Sequence, residues 1–165
     1  MVLGSQARRQ VRGGGRDLIN LEMAADYLRR ALSCLKEAEM ALSSGDPALC
    51  VRRSQESVEL AVKALLRAVA VEYPRKHDVS DALLEFADKM PEPIRREIND
   101  IAALVSELAA VRGPAMYGYE REGIPASRAF SRAYAEEVLS RVTRVVRLVE
   151  ENLVPKLREA GYWTD

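Results

Sequence analysis

The stretch RRSQESVELAVKALL, residues 52–66, decides the fold. Val58, Val62 and Leu65 recur at steps of four and three, and Val69 continues the row. That is the period of one helical face and not the alternation of a strand. Gln55, Glu59 and Lys63, spaced by four, form a polar stripe along the same helix. At about 100° per residue the stripe borders the apolar seam instead of facing it squarely, so it reads as a solvated face that a ligand could touch. The Glu59–Lys63 pair on such a face adds only about 0.2–0.5 kcal/mol.

Upstream, Asp46 and Pro47 supply an N-cap and a first helical residue. The SSGDP run at 43–47 ends an earlier helix whose seam is Leu21, Ala25, Leu28, Leu32 and Leu35, starting near Asp17. Residues 1–15, with three consecutive glycines and Arg8, Arg9 and Arg12, carry no apolar period and read as a disordered basic arm ahead of a domain over 16–165. Downstream, Tyr73-Pro74 stops the helix. A brief helix, ALLEFADKM, follows capping candidates Asp78 and Asp81 and ends at Pro91 and Pro93.

A further helix starts at Pro93 with Ile94, Ile98, Ile101, Val105 and Leu108 in register. The last begins near Ser127 and repeats Val138, Val142, Val145, Val149 and Leu153, with Pro155 expected to kink or fray it. Short links favour antiparallel neighbours, so the expected fold is an all-α, antiparallel up-and-down bundle of four long helices plus one short helix.

The 25 basic and 25 acidic residues cancel, which removes a global basic field and leaves nucleic-acid binding to a local patch. Arg128, Arg132, Arg141, Arg144 and Arg147 give the last helix a basic side, but Glu136, Glu137, Glu150 and Glu151 interleave, as on an ordinary charged surface. No apolar run approaches a membrane span and no secretory segment opens the chain, so a cytoplasmic protein is expected. Cys34 and Cys50 fall at unequal distances from the turn near Gly45, about 16 Å and about 7 Å at helical rise, too far apart for a disulfide. Both read as small buried residues. With one histidine and no P-loop, GxGxxG, HExxH or CxxC pattern, no metal or cofactor is implied.

RGPAMYGYERE, residues 112–122, holds the other informative residues. Arg112 occupies the next seam position after Leu108, where an unpaired guanidinium is costly and cannot be neutralised. A carboxylate of another helix, a partner subunit and an anionic ligand such as phosphate all satisfy that requirement. Gly113-Pro114 is expected to break the helix, leaving Tyr117 and Tyr119 in a turn beside Arg112.

QESVELAVKALL, followed by HDVSDALLEF at 77–86 and an Arg-containing end of the fourth helix, resembles the HEPN family over most of residues 20–155. The resemblance implies a helical bundle, a homodimer, and pairing with a minimal nucleotidyltransferase in a toxin–antitoxin-like system. It also implies nucleotide or RNA binding, with Arg112, Gln55, Glu59, Lys63 and His77 as candidate anion-binding residues, although His77, in the loop before the short helix, has a structural look in its family position. Toxin members are metal-independent ribonucleases with an R-x4-H-x-Y motif, which falls here on Arg112, Tyr117 and Tyr119. Tyr117 stands where the catalytic His would be, and a phenol of pKa about 10 is a poor base near neutral pH. The resemblance therefore implies a binding partner with Arg112 as anion anchor and weak or no catalysis. A ribonuclease using Arg112 with Tyr117 and Tyr119, or a purely structural bundle with a salt-bridged Arg112, are the alternatives.

Overall fold

The chain is described by a computed structural model over residues 3–69 and 71–165, with side chains from Asn20 onward. The side chains of Arg8, Arg9 and Arg12 lie outside the described residues, but the backbone expected as a disordered arm ahead of a helix from near Asp17 is helical from Leu3 onward. Among the described residues seven α-helices follow in order: α1 (Leu3–Ser43), α2 (Pro47–Ala68), α3 (Ser80–Glu85), α4 (Glu92–Arg96), α5 (Ile98–Tyr117), α6 (Ala126–Ala129) and α7 (Arg132–Glu159). The fold is an all-α bundle of four long helices, α1, α2, α5 and α7. Where one short helix was expected, α3, a 3-10 turn at Ala87–Lys89, α4 and α6 share that role.

The α1–α2 reversal shows how tightly local chemistry sets the bundle. Gly45, at φ 83°, takes the left-handed conformation that closes a helix end, and the Asp46 N–H reaches back to the Ala41 carbonyl at 2.9 Å. Asp46 then turns to the next helix: its carboxylate accepts the Leu49 N–H at 3.0 Å, with Pro47 at the first helical position. Replacing Asp46 with Ala should remove about 1 kcal/mol, or ~2–4 °C of melting temperature in a domain of this size. Thermal unfolding followed by circular dichroism measures it, and an unchanged midpoint would show that the cap is dispensable.

Helix α2 is the centre of the bundle. It packs against α1, α5 and α7, and none of its residues is exposed. Most of the expected seam residues are buried, Val58, Val62 and Leu65 on α2, Ile101, Val105 and Leu108 on α5, and Val138, Val142, Val145, Val149 and Leu153 on α7, while Leu21, Leu32 and Val69 are half-buried. Along α1 the core row is Ala-rich, with Ala24, Ala25, Ala31, Ala38 and Ala41 beside Leu28 and Leu35. Small residues let α1 and α2 approach closely, and the Ser57 hydroxyl donates across that seam to the Ala31 carbonyl at 2.7 Å.

Four sequence expectations fail at prolines and helix starts. The helix expected from Pro93 is split at Glu97 into α4 and α5. Helix α5 does not break at Gly113-Pro114; it runs through Pro114 to Tyr117. The hydrogen bond that Pro114 cannot make belongs to the carbonyl of Ala110, which is exposed, so water can replace the missing donor. Pro155 lies on the exposed side of α7 for the same reason, and that helix continues to Glu159. Ser127 opens no long helix: it belongs to the one-turn α6, and Ser131 caps α7 by accepting the Tyr134 N–H at 3.1 Å.

Among the described residues no helix is long and apolar enough to cross a membrane.

Candidate functional site

The stripe Gln55, Glu59 and Lys63 is not a solvated face. Gln55 is 1% exposed and Glu59 7%, because α2 is covered on three sides and buries its polar edge along with its apolar seam. A buried carboxylate must be matched, and this one is matched several times over. Glu59 Oε1 accepts from Lys63 Nζ at 2.7 Å, and Oε2 accepts from Gln55 Nε2 at 2.7 Å. His77 Nδ1 lies 3.1 and 3.2 Å from the two oxygens. A carboxylate only accepts, so His77 presents Nδ1–H to it. Burial alone would raise the Glu59 pKa, but the hydrogen bonds from Lys63, Gln55 and His77 outweigh that and hold it below the ordinary value.

Gln55 passes this order on to Arg112. With its amide nitrogen committed to Glu59, its Oε1 accepts from Arg112 Nε at 3.1 Å. The partner that the seam position of Arg112 demanded is therefore a neutral amide, itself fixed by a carboxylate, and not a carboxylate directly. The Arg112 charge is left uncancelled by this contact. A second arginine steadies the same residue from the other side: Arg52 Nη1 donates to the Arg112 backbone carbonyl at 2.8 Å while its Nε binds Glu56 at 3.0 Å. Arg52 lies in the quoted helical stretch, yet its partner is 60 positions away, and no spacing signal could have found it.

Among the described residues the outer Nη groups of Arg112 find no hydrogen-bond partner, and the side chain borders a cleft of about 200 Å³ with Cys34, Glu56, Glu59 and Leu60. The two acids there are already engaged, Glu56 by Arg52 and Arg53 and Glu59 by Lys63 and His77. The half-buried Cys34 thiol is pushed up to about 11 by burial and by Glu56 and Glu37, so it is neutral and unreactive near pH 7. Cys50 is buried, and both thiols are free.

Tyr117 and Tyr119 stand apart from this network. Tyr117 is the last residue of α5, about 140° round the helix from Arg112 at ideal twist, and is 69% exposed. Gly118, at φ 72°, ends the helix, and Tyr119 then pairs with Ile124 through two backbone bonds of 2.8 and 3.0 Å. The result is a small hairpin that carries Tyr119 at 41% exposure. Neither hydroxyl is hydrogen-bonded to Arg112. The arginines of the last helix are no free basic face either: Arg132, Arg141, Arg144 and Arg147 pair with Glu136, Glu107, Glu97 and Glu150.

A family model described as HEPN domain matches residues 24–152, which spans α1 through α7 and every residue of the Glu59 network. The chain belongs to the HEPN domain family. The crystal structure of TT1696 from Thermus thermophilus is similar to it at 28% identity, with a TM-score of 0.61, over 78% of this chain and 97% of that one. No curated protein matches the chain. Within the HEPN domain Arg112 and Tyr117 fall on the last two turns of α5 and Tyr119 on the hairpin after it, with Arg112 joined through Gln55 to the buried Glu59 network.

Proposed function

We propose that this HEPN domain is a homodimeric RNA- or nucleotide-binding partner of a minimal nucleotidyltransferase in a toxin–antitoxin-like pair, with Arg112 as the phosphate anchor and weak or no catalysis. The observation that carries the reading is the way Arg112 is held. Its Nε is fixed by Gln55 and its backbone by Arg52, while its fork opens on a cleft whose acids are spoken for. A pre-positioned, charge-assisted donor pair of this kind suits one phosphate group.

Chemistry beyond binding needs a proton acceptor near the phosphate. At the motif position stands Tyr117, exposed and unconnected to Arg112. His77 is tied to Glu59. Met116, Tyr117 and Tyr119 are exposed at the end of α5 and on the hairpin after it, an apolar and aromatic surface that suits a second copy of the chain. Tyr119, 41% exposed on its hairpin, is the side chain a nucleotidyltransferase would modify.

The test is RNA binding and cleavage in EDTA, wild type beside Arg112→Ala, with cut ends mapped. Expected is RNA binding without cleavage by the wild type, and an affinity about tenfold or more lower in the variant. Unchanged affinity would remove Arg112 from the site, and Arg112-dependent cleavage would make the protein a nuclease instead.

A further inference from the structure

Helix α5 carries a second row of residues on the side away from the core. Asn99, Ala103, Ser106, Ala110, Gly113 and Tyr117 recur at steps of four and three, and all six are exposed. On an ideal helix they fall within about 80° of one another, opposite the buried row of Ile101, Val105 and Leu108. None of the six is charged. The exposed side of α7 shows how a solvated face of this chain is built, with Arg132, Glu136, Glu137, Arg144, Arg147 and Glu151. The acids of α5, Asp100 and Glu107, lie to one side of the row, toward α7, where Glu107 pairs with Arg141. A helix without charge on either its inner or its outer face is built to be covered on both.

Gly113 gives an independent indication. A glycine inside a helix is unfavourable relative to alanine, and nothing lies within 4 Å of the Cβ it lacks. Within one chain the bare backbone serves no contact among the described residues; against another helix it allows close approach. One turn further on, Tyr117 is the most exposed large apolar side chain among the described residues.

The face is its own complement. Steps of four and three average to the period that keeps two helices in contact along their length. Turned antiparallel about a two-fold axis at Leu108, Asn99 falls opposite the second copy's Tyr117, Ala103 opposite its Gly113 and Ser106 opposite its Ala110. Small residues meet in the middle, and a tyrosine meets a polar amide at each end. A hollow of about 270 Å³ separates α5 from α7, which scarcely touch, and its lining by Asp100, Ala103, Leu104 and Arg141 puts it at the Asn99 end of the row. The second copy's Tyr117 arrives at the mouth of this hollow, where the buried Leu104 and Val145 suit its ring and Asp100 and Arg141 suit its hydroxyl.

We propose that the outer face of α5 is the interface between two copies of this chain, paired antiparallel about Leu108, with each Tyr117 seated at the mouth of the other copy's hollow between α5 and α7. The inference rests on the homodimer of the proposed function and adds the face and the register that make it. Arg112 belongs to the buried row, and its cleft is otherwise lined by α1 and α2 residues, so this pairing leaves both Arg112 clefts uncovered.

Sedimentation velocity of the full chain, from micromolar to hundreds of micromolar, tests it. Wild type is compared with Ala103→Glu/Ala110→Glu and with Ser33→Glu/Ser140→Glu, which adds the same two charges at exposed positions of α1 and α7. Thermal unfolding checks that each is folded. Expected is a dimer for wild type and the α1/α7 control, and self-association about tenfold or more weaker in Ala103→Glu/Ala110→Glu. The register is read separately, by mixing Ala103→Cys and Gly113→Cys chains under mild oxidation. These two positions face each other in the proposed pair, whereas like positions are offset by about 15 Å along the helices, so the mixture should cross-link and neither variant alone should. A dimer that Ala103→Glu/Ala110→Glu leaves intact overturns this face and leaves the homodimer standing. Cross-linking of either cysteine variant with itself overturns the antiparallel register in the same way. A wild type that stays monomeric overturns the homodimer as well, and leaves the face to a different protein.

Discussion

Gly118→Ala is expected to destabilise the protein by about 3 kcal/mol or more, lowering the melting temperature by roughly 6–12 °C. Two independent effects add at this position. At φ 72° and ψ −166° the backbone sits in a region essentially reserved for glycine. A Cβ built there would also approach the Ala126 nitrogen to 2.7 Å and the Pro125 carbonyl carbon to 2.9 Å, with the Ile124 carbonyl oxygen closer still. All three are backbone atoms, so no rotamer change relieves the contact; the α5 end and the segment leading into α6 would have to separate. Gly123→Ala is the natural control, because its φ of 66° is also positive but nothing lies within 4 Å of the added carbon. It should lose only about 1–2 kcal/mol. Equal melting temperatures for the two variants would mean that the packing of residues 118–126 does not matter to stability. Because the Tyr119–Ile124 pairing depends on the same turn, Gly118→Ala should also leave the hairpin open to proteases that the wild type resists.

Glu59→Ala is expected to reduce stability by about 3–5 kcal/mol, since it strands Lys63, His77 and Gln55 around a vacated buried position. Glu59→Gln keeps the shape and removes the charge, and should lose less. The two separate the loss of packing from the loss of the anion. Acidity gives an independent reading. The Glu59 carboxyl is held below the ordinary range because its hydrogen bonds overcome burial, and Asp78 is likewise held low by Ser80 against the effect of burial. A carboxyl with a depressed folded pKa adds stability that is complete above its unfolded pKa and is lost as pH falls through the folded one. Wild-type stability should therefore decline from about pH 5 downward, and the deficit of Glu59→Gln relative to wild type should shrink over that window. Urea unfolding at a series of pH values measures both. A deficit that stays constant on acidification would show that the Glu59 charge contributes nothing. Loss of Glu59 should also loosen Gln55 and weaken the anion binding proposed for Arg112, although Arg112 itself is unchanged.

The four long helices, the Asp46-Pro47 start of α2, the buried seams of α2, α5 and α7 and the family resemblance were legible along the chain, because each rests on residues a few positions apart. The prolines misled for a related reason. Pro114 and Pro155 carry the same local cost everywhere, but whether a helix survives depends on whether the carbonyl left without a donor faces water, and Ala110 does. Arg112 was marked as needing a partner by its seam position alone. That its partner is Gln55, 57 positions earlier, and that Arg52 clamps its carbonyl, required the chain to be folded.

The polar stripe marks the boundary most clearly. Spacing by four set Gln55, Glu59 and Lys63 on one edge of a helix, and the sequence determined that much without any fold. The tertiary structure decided what the edge is for. An amphipathic pattern assumes one buried face, whereas α2, enclosed by α1, α5 and α7, has no exposed residue, so the stripe became a buried network and not a solvated surface. Periodicity is a property of one helix; burial is a property of its neighbours.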